Sequence, residues 1–202
     1  MREAIHALKY DRLYAAAPRL GGMLAEAITR LAAEAPLEML VVPVPLHRSK
    51  HAQRGFNQAR ALAAHALQSL AKTHAEWRLT LAASSLVRLR ATESQAGLTP
   101  RMRRMNVRGA FKVSDPAAVK DRHVLVIDDI LTTGATARAV AKALRDAGAA
   151  SVWVATLARA RRVNDNGPAQ FEDQDLHVIP GNLEAGETRS TGKFSSHDQR
   201  SF

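Results

Sequence analysis

The run VLVIDDILTTGATARAV, residues 124 to 140, sets two adjacent carboxylates, Asp128 and Asp129, just before a turn rich in threonine and glycine. Carboxylates repel phosphates, yet the turn has the composition of a phosphate cradle. Thr132, Thr133, Gly134, Ala135 and Thr136 lead from an apolar run into a helical pattern. Backbone N–H groups in a first helical turn lack intrahelical partners, and the helix dipole favours an anion there. Gly134 allows close backbone approach, and the threonine hydroxyls add donors. The Gly-Lys-Ser/Thr ending of a Walker loop is missing, so the turn suits one phosphate monoester. The plainer alternative is an ordinary helix start with Thr133 as N-cap.

The acids change the balance. Neighbouring residues on a regular strand face opposite ways, so both serve one ligand only where the strand is ending. Two carboxylates there can accept hydrogen bonds from vicinal sugar hydroxyls. They can also contact magnesium or its waters, since magnesium is often shared between carboxylates and substrate phosphates. The ligand described is a phosphate with a ribose diol beside it. The alternative leaves one acid capping the turn and the other exposed.

These residues need a scaffold. MLVVPVPL (39–46), HVLVID (123–128) and SVWVATL (151–157) are short apolar runs suited to strands buried on both faces, the first stopped by Pro43 and Pro45. Residues 13–33 repeat leucine and alanine at helical spacing, as do 57–71, where Asn57 and Gln58 suit a helix start. Residues 135–148 form a third helical pattern, with Ala137, Val140, Ala141 and Leu144 inward and Gly148 as C-terminal cap. Alternating strands and helices predict an α/β fold with a mainly parallel sheet flanked by helices. Such sheets bind ligands at the carboxyl ends of their strands, where PVPLHR and DDILTTGAT would both lie. Residues 86–111 are poorly patterned and rich in arginine.

Composition sets the bounds. The chain has 202 residues, 46% of them hydrophobic and 4% aromatic, with no cysteine, which excludes disulfides and thiolate metal sites. His6, His51, His65, His74 and His123 show no metal-ligand spacing. No apolar run approaches the roughly 20 residues of a membrane span, and the N-terminus is too polar for a secretory signal, so a soluble cytoplasmic protein without membrane insertion is expected. Net charge is +10, unevenly spread. Residues 163–202 hold seven acidic and three basic side chains, net −4, leaving net +14 on residues 1–162. That excess favours an anionic partner, either nucleic acid or a phosphorylated metabolite. The expected organisation is one domain over residues 1–160 and a polar, disordered tail over 161–202.

VLVIDDILTTGAT resembles the phosphoribosyl-pyrophosphate (PRPP) motif of type I phosphoribosyltransferases. VPVPLHRSKHAQRGFNQARALA (42–63) and RLRATESQAGLTPRMRRMNVRGAF (88–111) are similar to the ComF/GntX branch, named for competence-associated protein F. With HALKYD near the start, the match covers residues 5 to 160. The resemblance implies a type I phosphoribosyltransferase-like fold. Asp128 and Asp129 then match the catalytic acids that bond the ribose 2′ and 3′ hydroxyls, and Thr132 to Thr136 match the 5′-phosphate loop. Pro45, Leu46, His47 and Arg48 match the pyrophosphate loop. Residues 88–106 match the flexible loop that closes over the site, with Arg88, Thr92, Gln95, Arg103 and Asn106 among the substrate contacts. Arg54 and His47 could touch pyrophosphate, or His47 only cap its loop and Arg54 stay exposed. Phe56 reads as core more readily than as a platform for a base.

Six arginines between Leu86 and Phe111 (Arg88, Arg90, Arg101, Arg103, Arg104 and Arg108), against the single acid Glu93, make a basic lid over a pyrophosphate leaving group electrostatically sensible. The implied activity is transfer of ribose 5-phosphate from PRPP to an unidentified nitrogen acceptor. Magnesium would be chelated mainly by the substrate, not held by the protein alone. The alternative is a non-catalytic protein that binds single-stranded DNA during uptake, or senses PRPP. Scarce aromatic platforms count against the DNA version. An oligomer, or contact with the competence machinery, is compatible with either. Family members often carry an N-terminal four-cysteine zinc module; the chain lost it, never had it, or is truncated.

Overall fold

The β-branched runs expected to be strands form the centre of a parallel sheet in the computed structural model, which describes residues 16–91, 99–159 and 176–180. They are β1 (Glu38–Pro43), β5 (His123–Leu131) and β6 (Ser151–Arg159). β2 (Arg78–Leu81) and β7 (Leu176–Pro180) complete the order β2-β1-β5-β6-β7, every neighbouring pair parallel. Pro43 is tolerated inside the sheet because of where it falls. The Val41 carbonyl accepts from Ala82 on the β2 side, and the Val44 amide donates to Ile127 on the β5 side. By alternation the Pro43 nitrogen faces β2, whose register with β1 has already ended at Val41.

The period of two sorts the core into two layers. Met39, Val41, Leu125, Ile127, Trp153 and Ala155 point to one face, where they pack against Leu24, Ile28, Leu62, Ala66 and Leu70. Those residues come from α1 (Ala17–Thr29) and α3 (Gln58–Thr73). Leu40, Val42, Val124, Val126, Val152 and Val154 point to the other face, against Ala137, Val140, Ala141 and Leu144 of α6 (Ala135–Asp146). Each fully buried aliphatic side chain contributes about 1.5–3 kcal/mol. Alanine shortens the distance between α1 and α3, and glycine shortens it further: a Cβ at Gly21 would lie 2.3 Å from the Cβ of His65.

The arginine-rich stretch is more ordered than its pattern suggests. β3 (Leu86–Arg88) and β4 (Phe111–Val113) pair antiparallel as a separate two-stranded ribbon. Leu86, Phe111 and Val113 seat that ribbon on the α6 layer. Between its strands, α4 (Pro100–Val107) packs against α6. Two short helices, α2 (Arg48–Arg54) and α5 (Pro116–Val119), fill connections. Helix α1 is shorter than the 13–33 pattern, and β5 runs three residues past Asp128. The weak apolar signal at 175–179, within the stretch read as a polar tail, marks β7. The rest of that tail, residues 161–175 and 181–202, lies outside the described residues. Among the described residues no helix is long and apolar enough to cross a membrane.

Candidate functional site

The chain leaves β1 and β5 in opposite directions. From β1 it passes through α2 and α3, the latter on the α1 face, to β2; from β5 it passes through α6 on the other face to β6. β1 and β5 are neighbours, with Pro43 opposite Ile127 at the exit. A parallel sheet opens a crevice at such a switch point, outside the carboxyl ends of the two strands. Both predicted loops border it.

Pro45, Leu46 and His47 follow β1 directly and are half-buried, while Arg48 is exposed. His47 is the N-cap of α2: its Nδ1 accepts from the Ser49 amide at 3.3 Å and shares a 2.8 Å hydrogen bond with the Ser49 hydroxyl. Asn57 does two things. Its Oδ1 accepts from the Arg60 amide and caps α3, and its Nδ2 donates to the Val44 carbonyl at 3.0 Å. The loop is therefore pinned at both ends, with Arg54 and Phe56 half-buried near its close.

The β5 exit carries the acids. The ladder to β6 passes through Asp128, opposite Thr156, and resumes at Ile130, opposite Ala158. Leu131 joins the same core layer as Val124 and Val126, so strict alternation fails between Asp128 and Leu131. Both acids are thus in a strand that is still paired but no longer regular. Asp128 Oδ1 accepts from the Asp129 amide at 2.9 Å, and Asp129 Oδ1 accepts from the Ile130 amide at 2.8 Å. A carboxylate offers about four acceptor positions, so each bond orients its acid without exhausting it.

Gly134, not Thr133, is the N-cap of α6, at φ 70° and ψ 8°, a left-handed conformation that favours glycine. No side chain caps this helix start, so its first-turn amides are presented by backbone alone. Thr132 is exposed, Thr133 and Thr136 are half-buried, and Gly134 and Ala135 are buried. The Thr133 hydroxyl oxygen is buried with no hydrogen-bond partner among the described residues.

The ribbon brings a cation to the acids. Arg88 lies with its guanidinium 5.3 Å from the centre of the Phe111 ring, within electrostatic reach of Asp128. Burial lowers the Arg88 pKa from its ordinary value; the Asp128 carboxylate opposes that shift and Arg90 adds to it. Arginine remains charged at neutral pH. Arg90 donates to the Arg108 carbonyl at 2.6 Å and closes the base of the ribbon. On α4, Arg103 and Asn106 are half-buried beside buried Val107, while Arg101, Arg104 and the C-cap Arg108 are exposed. Thr92 and Gln95 lie outside the described residues. Among the described residues no three or more histidine, aspartate or glutamate side chains gather so as to hold a metal ion.

Sequence reasoning missed two supports. Arg138 donates to the Thr133 carbonyl across the loop. Its signal was a cation in the first turn of a helix, where the dipole disfavours one. Phe111, the platform for Arg88, left no local signal, because the pairing of β3 with β4 spans the whole arginine-rich stretch.

A family model described as a phosphoribosyl transferase domain matches residues 52–177. The DNA utilization protein YhgH of Escherichia coli K12 is 34% identical over 158 residues, covering 77% of this chain and 65% of that protein. Competence protein F of Haemophilus influenzae is 34% identical over 122 residues, covering 59% of this chain and 50% of that protein. The chain thus spans 65% of the length of the first relative and half of the second. Among solved structures, glutamine PRPP amidotransferase from Bacillus subtilis, complexed with ADP and GMP, is 20% identical with a TM-score of 0.46, covering 76% of this chain and 30% of that one. A hypoxanthine-guanine phosphoribosyltransferase from Bacillus anthracis is 15% identical with a TM-score of 0.44, covering 81% and 77%.

Proposed function

This chain belongs to the phosphoribosyl transferase domain family, on its competence protein F branch, and we propose that it binds PRPP in the crevice between β1 and β5. The observation that carries this reading is that one strand exit presents two carboxylates and, five residues after Asp129, a helix start at Gly134 capped by no side chain. Asp128 and Asp129 accept from the ribose 2′ and 3′ hydroxyls. The amides and hydroxyls of Thr132 to Thr136 take the 5′-phosphate, at a distance that separates the acids from it. The pinned Pro45–Arg48 loop takes the pyrophosphate. Arg54 at the end of α2 and Arg88 and Arg103 on the lid side balance its charge, and Asn106 adds a hydrogen-bond donor; Thr92 and Gln95 are added donors on the family resemblance.

The reaction we propose transfers ribose 5-phosphate. The bond from C1′ to the pyrophosphate oxygen breaks, and its electron pair leaves with pyrophosphate. The lone pair of an acceptor nitrogen forms the new bond to C1′, and the nitrogen then loses a proton to solvent. The chain's part is to position the reacting groups and stabilise departing charge, which is where such enzymes gain their rate. Two carboxylates at the ribose end fit a magnesium ion shared with the substrate's own oxygens. That ion would supply charge neutralisation at the pyrophosphate.

A second reading has its own observation. Arg90, Arg101, Arg104 and Arg108 are exposed along the ribbon and α4, and relatives are named for DNA utilization and competence. On that reading the chain binds single-stranded DNA without catalysis. One assay separates the two. Release of pyrophosphate from PRPP and magnesium is measured across bases, amines and oligonucleotides, with single-stranded DNA binding followed in parallel. Acceptor-dependent release supports the transferase. No release with any acceptor, together with salt-dependent DNA binding that PRPP does not disturb, rejects it in favour of the second.

A further inference from the structure

Thr156 is the residue of β6 opposite Asp128, and alternation from Val126 and Val154 puts both on the face that packs against α6. It is 1% exposed. The preceding positions on that face, Val152 and Val154, are fully buried and apolar. Valine has the same shape as threonine and would continue the pattern, so packing alone gives no reason for a hydroxyl here. The Thr156 hydroxyl oxygen is buried with no hydrogen-bond partner among the described residues. A buried unsatisfied hydroxyl costs stability and calls for an explanation. Its strand neighbour supplies one. Asp128 holds one oxygen against the Asp129 amide, and a hydroxyl one strand away can fix the direction of the other.

We propose that Thr156 is a positioning residue for Asp128, its hydroxyl donating to that carboxylate when the carboxylate receives the ribose hydroxyls of bound PRPP. The inference rests on the PRPP reading above and extends it to the neighbouring strand. It separates two properties that usually travel together. Removing the hydroxyl relieves the ligand-free protein of an unsatisfied group, yet weakens the ligand-bound one.

The test is titration of magnesium and PRPP into wild type, Thr156→Val and Thr156→Ser, with thermal midpoints of the ligand-free proteins. Thr156→Val is expected to melt no lower than wild type and to bind PRPP about tenfold more weakly, equivalent to about 1.4 kcal/mol. Thr156→Ser is expected to keep wild-type affinity. In an Asp128→Asn background, Thr156→Val is expected to add nothing, because the partner it acts through has changed. Should the valine variant fail to fold, Thr156→Ala set against Thr156→Ser makes the same comparison. Equal PRPP affinity in wild type and Thr156→Val overturns the positioning role and leaves the PRPP reading standing. An equal loss in both backgrounds overturns it in favour of a general packing role. Absence of PRPP binding by wild type overturns both.

Discussion

Arg88 shows at residue scale how the fold arms a site. Its guanidinium is carried to Asp128 by a ribbon and held against Phe111, so charge and position have different sources. Replacing Arg88 by methionine keeps much of the apolar contact and removes the charge opposing the acids. We expect PRPP affinity to fall about tenfold, the cost of one charge-assisted contact, in a calorimetric titration. Arg88→Lys should fall in between, since lysine keeps the charge but loses the planar stack. Unchanged affinity in both variants would remove Arg88 from the site. The acids and the Thr-Gly loop were visible in the sequence because they are contiguous. Arg88 was visible only as one arginine among six, because its meaning depends on a partner 40 residues along the chain and another beside it across the ribbon.

At the scale of elements, the close seam between α1 and α3 has a testable consequence. Both helices cover the face of the sheet from which the Asn57 cap and the β1 exit loop are held. A Cβ at Gly21 meets the His65 Cβ at 2.3 Å and its backbone at 3.1 Å, whereas one at Gly22 meets nothing within 4 Å. Alanine gains about 1 kcal/mol of helix propensity over glycine at either position. At Gly21 the forced separation outweighs that gain, because overpacking costs about 1–3 kcal/mol. Gly21→Ala should therefore lower the thermal midpoint and Gly22→Ala should raise it by about 2–4 °C, the shift for 1 kcal/mol in a chain this size. A rise in both would show that the seam is loose. Periodicity revealed β1, β5, β6, α1, α3 and α6, since each buries a continuous apolar stripe. It did not reveal β2, whose Arg78 and Thr80 are exposed, or the ribbon, whose strands have only three residues each. β7 left only a weak apolar signal.

At the scale of the whole molecule, a chain of net charge +10 carries a crevice bordered by two acids. On the proposed reading, the basic charge draws a polyanion in, and the acids choose among polyanions by requiring a diol at a fixed distance from a phosphate. A protein that only gathered nucleic acid would gain nothing from Asp128 and Asp129. The most direct measurement is therefore calorimetric titration of PRPP with magnesium into wild type and into the double variant Asp128→Asn/Asp129→Asn. Wild type should bind, and the variant should lose about a hundredfold in affinity, two charge-assisted hydrogen bonds at about 1.5 kcal/mol each. Equal affinity in the two proteins, or no binding by either, would contradict the PRPP reading.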